Sequence, residues 1–364
     1  MQREYYLELA NAGLTMPIVS DLVLHQYRDA GAILEDGVRL GMVLAESARR
    51  FHTPLAIPHM DLELEKQVLL EMLGVPGEQT AKFHFDTAPS PRVFDRLQQR
   101  LHDPLTLRLQ AHIDSVGYIA HFTELLPVGM VIGPFSLMSK LVGDPITPVA
   151  MAGMGITAED DPEVDCVEQV LELGFRMIMR SIALQIDAGA RAIFIAEPAA
   201  NKVYFSPNQL DAGSDIFDRF VMTYHRQIKA YLEDHNVDLF FHCCGELTDT
   251  MLGKFTELDP ALLSLGSSRT LWEDAQLVPK NIVLYGNLPS KQFYSDALIT
   301  AAQVELKGRE LIAKMKEAGH PFILGTECDV LSVPGCEREI MSKVRAITRC
   351  RPAQTSALPA IGLS

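Results

Sequence analysis

The triplet His242-Cys243-Cys244 follows the apolar run from Asp238 to Phe241. A short aromatic run ending in polar residues reads as a buried strand, and strand side chains alternate between faces. His242 and Cys244 then point one way and Cys243 the other. An imidazole and a thiolate on one face can both bind one ion. Cys328, just past the apolar run 322–325, would add a third donor. Three protein ligands with the fourth position open is the arrangement of a catalytic zinc site. Free cysteine is also among the most buried residue types, so the pair alone reads more readily as packing; Cys328 at a second strand end brings metal level with that reading. Cys336 is a further candidate, but it lies beyond Pro334-Gly335. Cys166 and Cys350 sit in helical context and read as packing residues.

The elements that must position these donors are legible as an alternation. Short apolar runs at 54–57, 128–132, 192–196, 238–242, 262–265, 282–285 and 322–325 end in Gly, Pro or polar residues. Such runs read as buried parallel strands. Between them lie amphipathic stretches. In 167–188 the apolar positions Val167, Val170, Leu171, Phe175, Ile178 and Ile182 mark one helix face. Residues 214–233 and 299–318 read similarly. Repeated βα units fit a barrel or a doubly wound sheet. No G-x-G-x-x-G or P-loop motif is present, which favours a (β/α)8 TIM barrel. Residues 1–50 read as an N-terminal helical segment and 51–364 as the barrel, one domain overall.

Barrel enzymes place their chemistry where strands end and βα loops begin. That rule makes carboxylates there candidates. Asp61, Glu197 and Glu327 are candidate catalytic groups, while Tyr285, Asn287 and Asp329 are candidates for binding substrate. Each carboxylate reads alternatively as a solvated loop residue, and His59 as a loop histidine. Gly133 and Pro134 read as turn formers.

Composition bounds the partners. The 364 residues carry 47 acidic against 32 basic side chains, a net charge of −15. Such a surface repels phosphate backbones, so nucleic acid is not expected as a partner. No run of about 18 uncharged apolar residues occurs, and the first residues do not lead into a signal-peptide core. No membrane association and a cytoplasmic location are the expectation. Six cysteines in a chain this long, five of them after residue 240, do not form a disulfide framework.

His242-x-Cys244-Gly245 with the distant Cys328 resembles the zinc motif of methylcobamide:coenzyme M methyltransferases and related corrinoid methyltransferases, (β/α)8 barrels of the uroporphyrinogen decarboxylase superfamily. Other segments are similar in the same order: Pro58-His59-Met60-Asp61-Leu62, Gly133-Pro134-Phe135-Ser136-Leu137, Ala190 to Pro198 with Ser206-Pro207, and Gly286-Asn287. The resemblance spans about residues 50–350. It implies zinc as cofactor, a methylcobamide corrinoid as co-substrate, a corrinoid protein as partner, and a small-molecule methyl donor or acceptor. Two alternatives stand beside this reading. A decarboxylase of the same superfamily would carry an N-terminal R-Q-A-G-R carboxylate clamp, where this chain has Met16-Pro17-Ile18-Val19-Ser20. A non-catalytic corrinoid- or tetrapyrrole-binding barrel would leave the thiols incidental.

Overall fold

The computed structural model describes residues 3–350. Eight parallel strands form the barrel: β1 (Thr15–Met16), β2 (Leu55–Ala56), β3 (Leu126–Ile132), β4 (Ala192–Ala196), β5 (Asp238–Cys243), β6 (Leu262–Leu265), β7 (Val283–Leu288) and β8 (Phe322–Thr326). Pairing runs in chain order from β2 to β8, and β8 then returns to pair with β1. The fold is a (β/α)8 TIM barrel. All seven expected runs are strands.

The eighth strand, β1, lies within the segment read as mainly helical. Thr15–Met16 pairs in register with Leu324 and Gly325 of β8. The N-terminal segment, mainly helical as expected, thus also supplies the first barrel strand. Two residues are too short a run for alternation to register, which is why the sequence pattern does not display it. The rest of residues 3–50 is mainly helical, ending in the helix Gly37–Arg50. The C-terminal end placed at 364 lies outside the described residues.

Strand alternation separates two cores. Met130, Phe194, Phe240, Val283, Tyr285 and Ile323 fill the barrel interior. Val131, Ile195, Phe241, Leu263, Leu284 and Leu324 face outward against the helices. The helix Arg3–Asn11 belongs to the interior core: Tyr6 packs edge-on to Phe240 at 5.0 Å between ring centroids and donates to Asp238 Oδ2 at 3.2 Å. Asp238 opens β5, so this helix stops the N-terminal end of the barrel and leaves the other end open for a site. Among the described residues, no helix is long and apolar enough to cross a membrane.

Candidate metal centre

Three neighbouring strands set the position of His242. It pairs with Ala196 of β4 and Ser264 of β6. It continues the inward parity of Phe240, while Cys243 turns outward into the helix-facing core. The His242 ring lies over Phe194 with centroids 5.5 Å apart. Its Nδ1 is 2.8 Å from Ser264 Oγ. Its Nε2 is buried and has no hydrogen-bond partner. If Nδ1–H donates to Ser264, the Nε2 lone pair is free to bind an ion.

Cys244 follows one residue beyond β5, and Cys328 lies two residues beyond the end of β8. The donor atoms of His242, Cys244 and Cys328 all lie within 4.8 Å of one another. Tetrahedral bonds near 2.3 Å would set two zinc-bound sulfurs about 3.8 Å apart, so the triad needs little closure to hold an ion. The Cys244 thiol is held well below the usual range by its hydrogen bond to Cys328, against the opposing effect of burial. Cys328 is correspondingly pushed up.

The triad opens into a cavity of about 430 Å³ whose other walls include Met60, Leu62, Phe293, Tyr294, Leu331 and Val333. Lys291 also lines it. Burial would depress the Lys291 ammonium, but Cys244 and Glu327 outweigh that and raise it.

The candidate carboxylates have divergent settings. Asp329 alone of them lines this cavity. Its two oxygens are buried without a hydrogen-bond partner, and burial pushes its carboxyl up to about 7, with His59 pulling the other way. His59 Nε2 is bound to Asp21 Oδ1 at 3.1 Å. Glu327 turns away from the cavity and accepts from the N–H and hydroxyl of Ser267 at 3.2 and 2.7 Å. Asp61 pairs with Arg108 and accepts from the N–H of Glu63, although its neighbours Met60 and Leu62 both line the cavity. Glu197 is fully buried. It accepts from the N–H groups of Phe135 and Ser136 and bonds His225 Nε2 at 2.8 Å. It therefore caps the helix Pro134–Leu141, where negative charge is favoured. A Cβ on Gly133 would fall 2.2 Å from its Oε2, which explains the glycine.

Tyr285 lies inside the barrel, below the cavity, and donates to Met16 O at 2.7 Å. Asn287 donates to the carbonyls of Gly266 and Arg269, both at 2.8 Å. It lines a separate cavity of about 320 Å³. Sequence reasoning missed Ser264 and Lys291. Ser264 carried a readable signal: it is the single hydroxyl in Leu262-Leu263-Ser264-Leu265. Lys291 lies three residues past β7, beyond the reach of strand alternation.

Residues 48–338, most of the chain, match the family model of uroporphyrinogen decarboxylase (URO-D). The chain belongs to the URO-D family. Among solved structures, a methyltransferase from Methanosarcina mazei shares the fold of this URO-D family member with a TM-score of 0.65. The two are 16% identical, and the match covers 94% of this chain and 97% of the other. No curated sequence matches the chain.

Proposed function

We propose that this URO-D family member is a zinc-dependent methyltransferase that moves a methyl group between a corrinoid, carried on a separate protein, and a small thiol. One observation carries the reading: an imidazole and two sulfurs, distant in sequence, converge within 4.8 Å while the buried His242 Nε2 lacks any partner. An unpaired buried nitrogen costs about 1–3 kcal/mol, a cost that a metal bond would offset. One nitrogen and two soft sulfurs suit zinc.

When bound, zinc would supply a Lewis acid that deprotonates a coordinated thiol, with soft ligands keeping that sulfur nucleophilic. The chain's own residues do the rest. Cys244 and Cys328, as thiolates, would hold the ion together with His242 and balance its double charge. Ser264 orients His242, and Lys291 offsets negative charge beside Cys244. The apolar walls exclude water from the reacting sulfur. In the transfer the thiol has already lost its proton, and a sulfur electron pair forms the new S–C bond. The methyl-corrinoid, as co-substrate, would give up the methyl group and keep the bonding pair, so that atoms and electrons balance. Demethylation of a methyl ether or amine runs the methyl group in the opposite sense. In this reading Asp329 contributes to the substrate cavity, whereas Asp61, Glu197, Glu327, Tyr285 and Asn287 act as positioning residues.

The decarboxylase alternative calls for several cations around a polycarboxylate, yet Lys291 is the single Lys or Arg of this cavity among the described residues. Metal analysis tests the proposal. About one zinc per chain is expected, lost in His242→Ala and in Cys328→Ala. Zinc content unchanged in both variants would overturn it. Methyl transfer from methylcobalamin to a panel of thiols then reads the direction.

A further inference from the structure

The walls of the metal-centre cavity carry information about what enters it. Apart from the triad, its polar lining is sparse: Ser290, Lys291, Asp329 and the hydroxyl of Tyr294. The Ser290 hydroxyl is 3.2 Å from Cys328 O. The Lys291 ammonium lies against Cys244 and 3.9 Å from Glu327 Oε2. The Asp329 oxygens are buried beneath the surface. Among the described residues Lys291 is the single Lys or Arg of this lining, and an anionic substrate would meet it already facing Glu327, with Asp329 lining the same cavity. The rest of the lining is apolar.

Two of these apolar residues are also unusually exposed. Leu331 is 60% and Tyr294 44% exposed, although both line the cavity. Apolar side chains that are exposed and also line a cavity fit a surface that a ligand covers. The wall behind them is fixed. Lys343, fully buried on the helix Glu337–Thr348, donates to Phe293 O at 2.7 Å and pairs with Asp296 at 2.9 Å. Phe293 is thereby held in place before any ligand arrives, and preorganised aromatic walls bind flat apolar groups at low entropic cost. A volume of about 430 Å³ falls in the range of pockets that enclose ring-bearing ligands.

We infer that the metal centre serves a substrate with an apolar, ring-sized body, seated against Phe293, Tyr294 and Leu331, and not a short anionic thiol. The inference rests on the triad being a substrate-binding metal site, and it names the substrate class for that site.

Calorimetry on the zinc-loaded protein tests it with three probes: 2-phenylethanethiol, 2-mercaptoethanesulfonate, and the sulfur-free methyl ether of 2-phenylethanol. Both ring compounds should bind at least tenfold more tightly than the sulfonate. Leu331→Ser and Tyr294→Ser change exposed side chains, so the fold should persist. Each should weaken ring binding severalfold and leave the sulfonate unchanged. The inference is overturned if the sulfonate binds as well as the ring compounds, if neither ring compound binds below millimolar concentration, or if both variants bind them as wild type does. The thiol-on-metal reading is scored separately. It requires that the ring thiol outbind its sulfur-free partner, and that this margin vanish in Cys328→Ala. A surviving ring preference without that margin would keep the apolar substrate and remove the thiol.

Discussion

The hydroxyl of Ser264 lies 2.8 Å from Nδ1 of His242, and the two residues are register partners on adjacent strands. The bond fixes the imidazole plane, and with Nδ1–H donating to the hydroxyl the Nε2 lone pair is left for an ion. Partners of this kind tune metal affinity by about 10–100-fold. Ser264→Ala should therefore keep the fold and keep bound zinc at saturation, while weakening zinc affinity by about that factor. Competition with a chromophoric chelator measures it. An unchanged affinity would mean that the ring is held by Phe194 packing alone.

How much of this was readable in the sequence depends on reach. His242 and Cys244 share a strand end, so alternation alone aligns them. Cys328 was located because another apolar run precedes it. Glu197 and Glu327 also follow strand runs, by the same logic, yet neither faces the cavity. The rule of strand ends names the right ring of residues but not where each side chain turns. That turn depends on partners no pattern displays: the N–H pair of Phe135 and Ser136 for Glu197, and Ser267 for Glu327. β1 was hidden for a different reason, since two residues carry no period.

Glu197 gives a prediction that separates a positioning role from a catalytic one. Glu197→Ala would leave two buried N–H groups and His225 Nε2 without their acceptor. Such losses cost about 3–5 kcal/mol when a buried charged partner is removed. Urea unfolding should show a loss of that order, with a much smaller one for Glu197→Gln, which keeps an acceptor oxygen. The folded fraction of either variant should retain its zinc. Loss of zinc with stability intact would instead place Glu197 at the centre.

The packing of Tyr285 makes Gly325 a critical position. A Cβ there would fall 2.2 Å from the Tyr285 ring carbon Cζ and 2.3 Å from its hydroxyl. The ring cannot retreat, because it is fully buried and its hydroxyl is bonded to Met16 O and to the N–H of Thr326. Overpacking a fixed core costs about 1–3 kcal/mol. Gly325→Ala should lower the unfolding midpoint accordingly. If Tyr285→Phe in the same chain restores none of that loss, the ring and not the hydroxyl is the obstacle.

Glu65 sets a pH dependence. It is buried on the helix Leu64–Met72 and receives a hydrogen bond from Ser181 Oγ at 3.2 Å. Burial, reinforced by nearby Asp61, pushes its carboxyl up to about 8 from an ordinary value of 4.5. The folded state therefore retains a proton that the unfolded chain releases above pH 4.5. Stability from this group is complete below 4.5 and falls as pH rises, by about 1.4 kcal/mol per unit at most. The loss levels off once the folded carboxyl ionises near pH 8. Glu65→Gln keeps the shape and cannot ionise, so its stability should fall less steeply between pH 5 and 8. Urea midpoints of both proteins across that interval measure the difference. The gap in favour of the glutamine variant should widen steadily with pH, and parallel curves would mean that Glu65 is already ionised in the folded protein at pH 5.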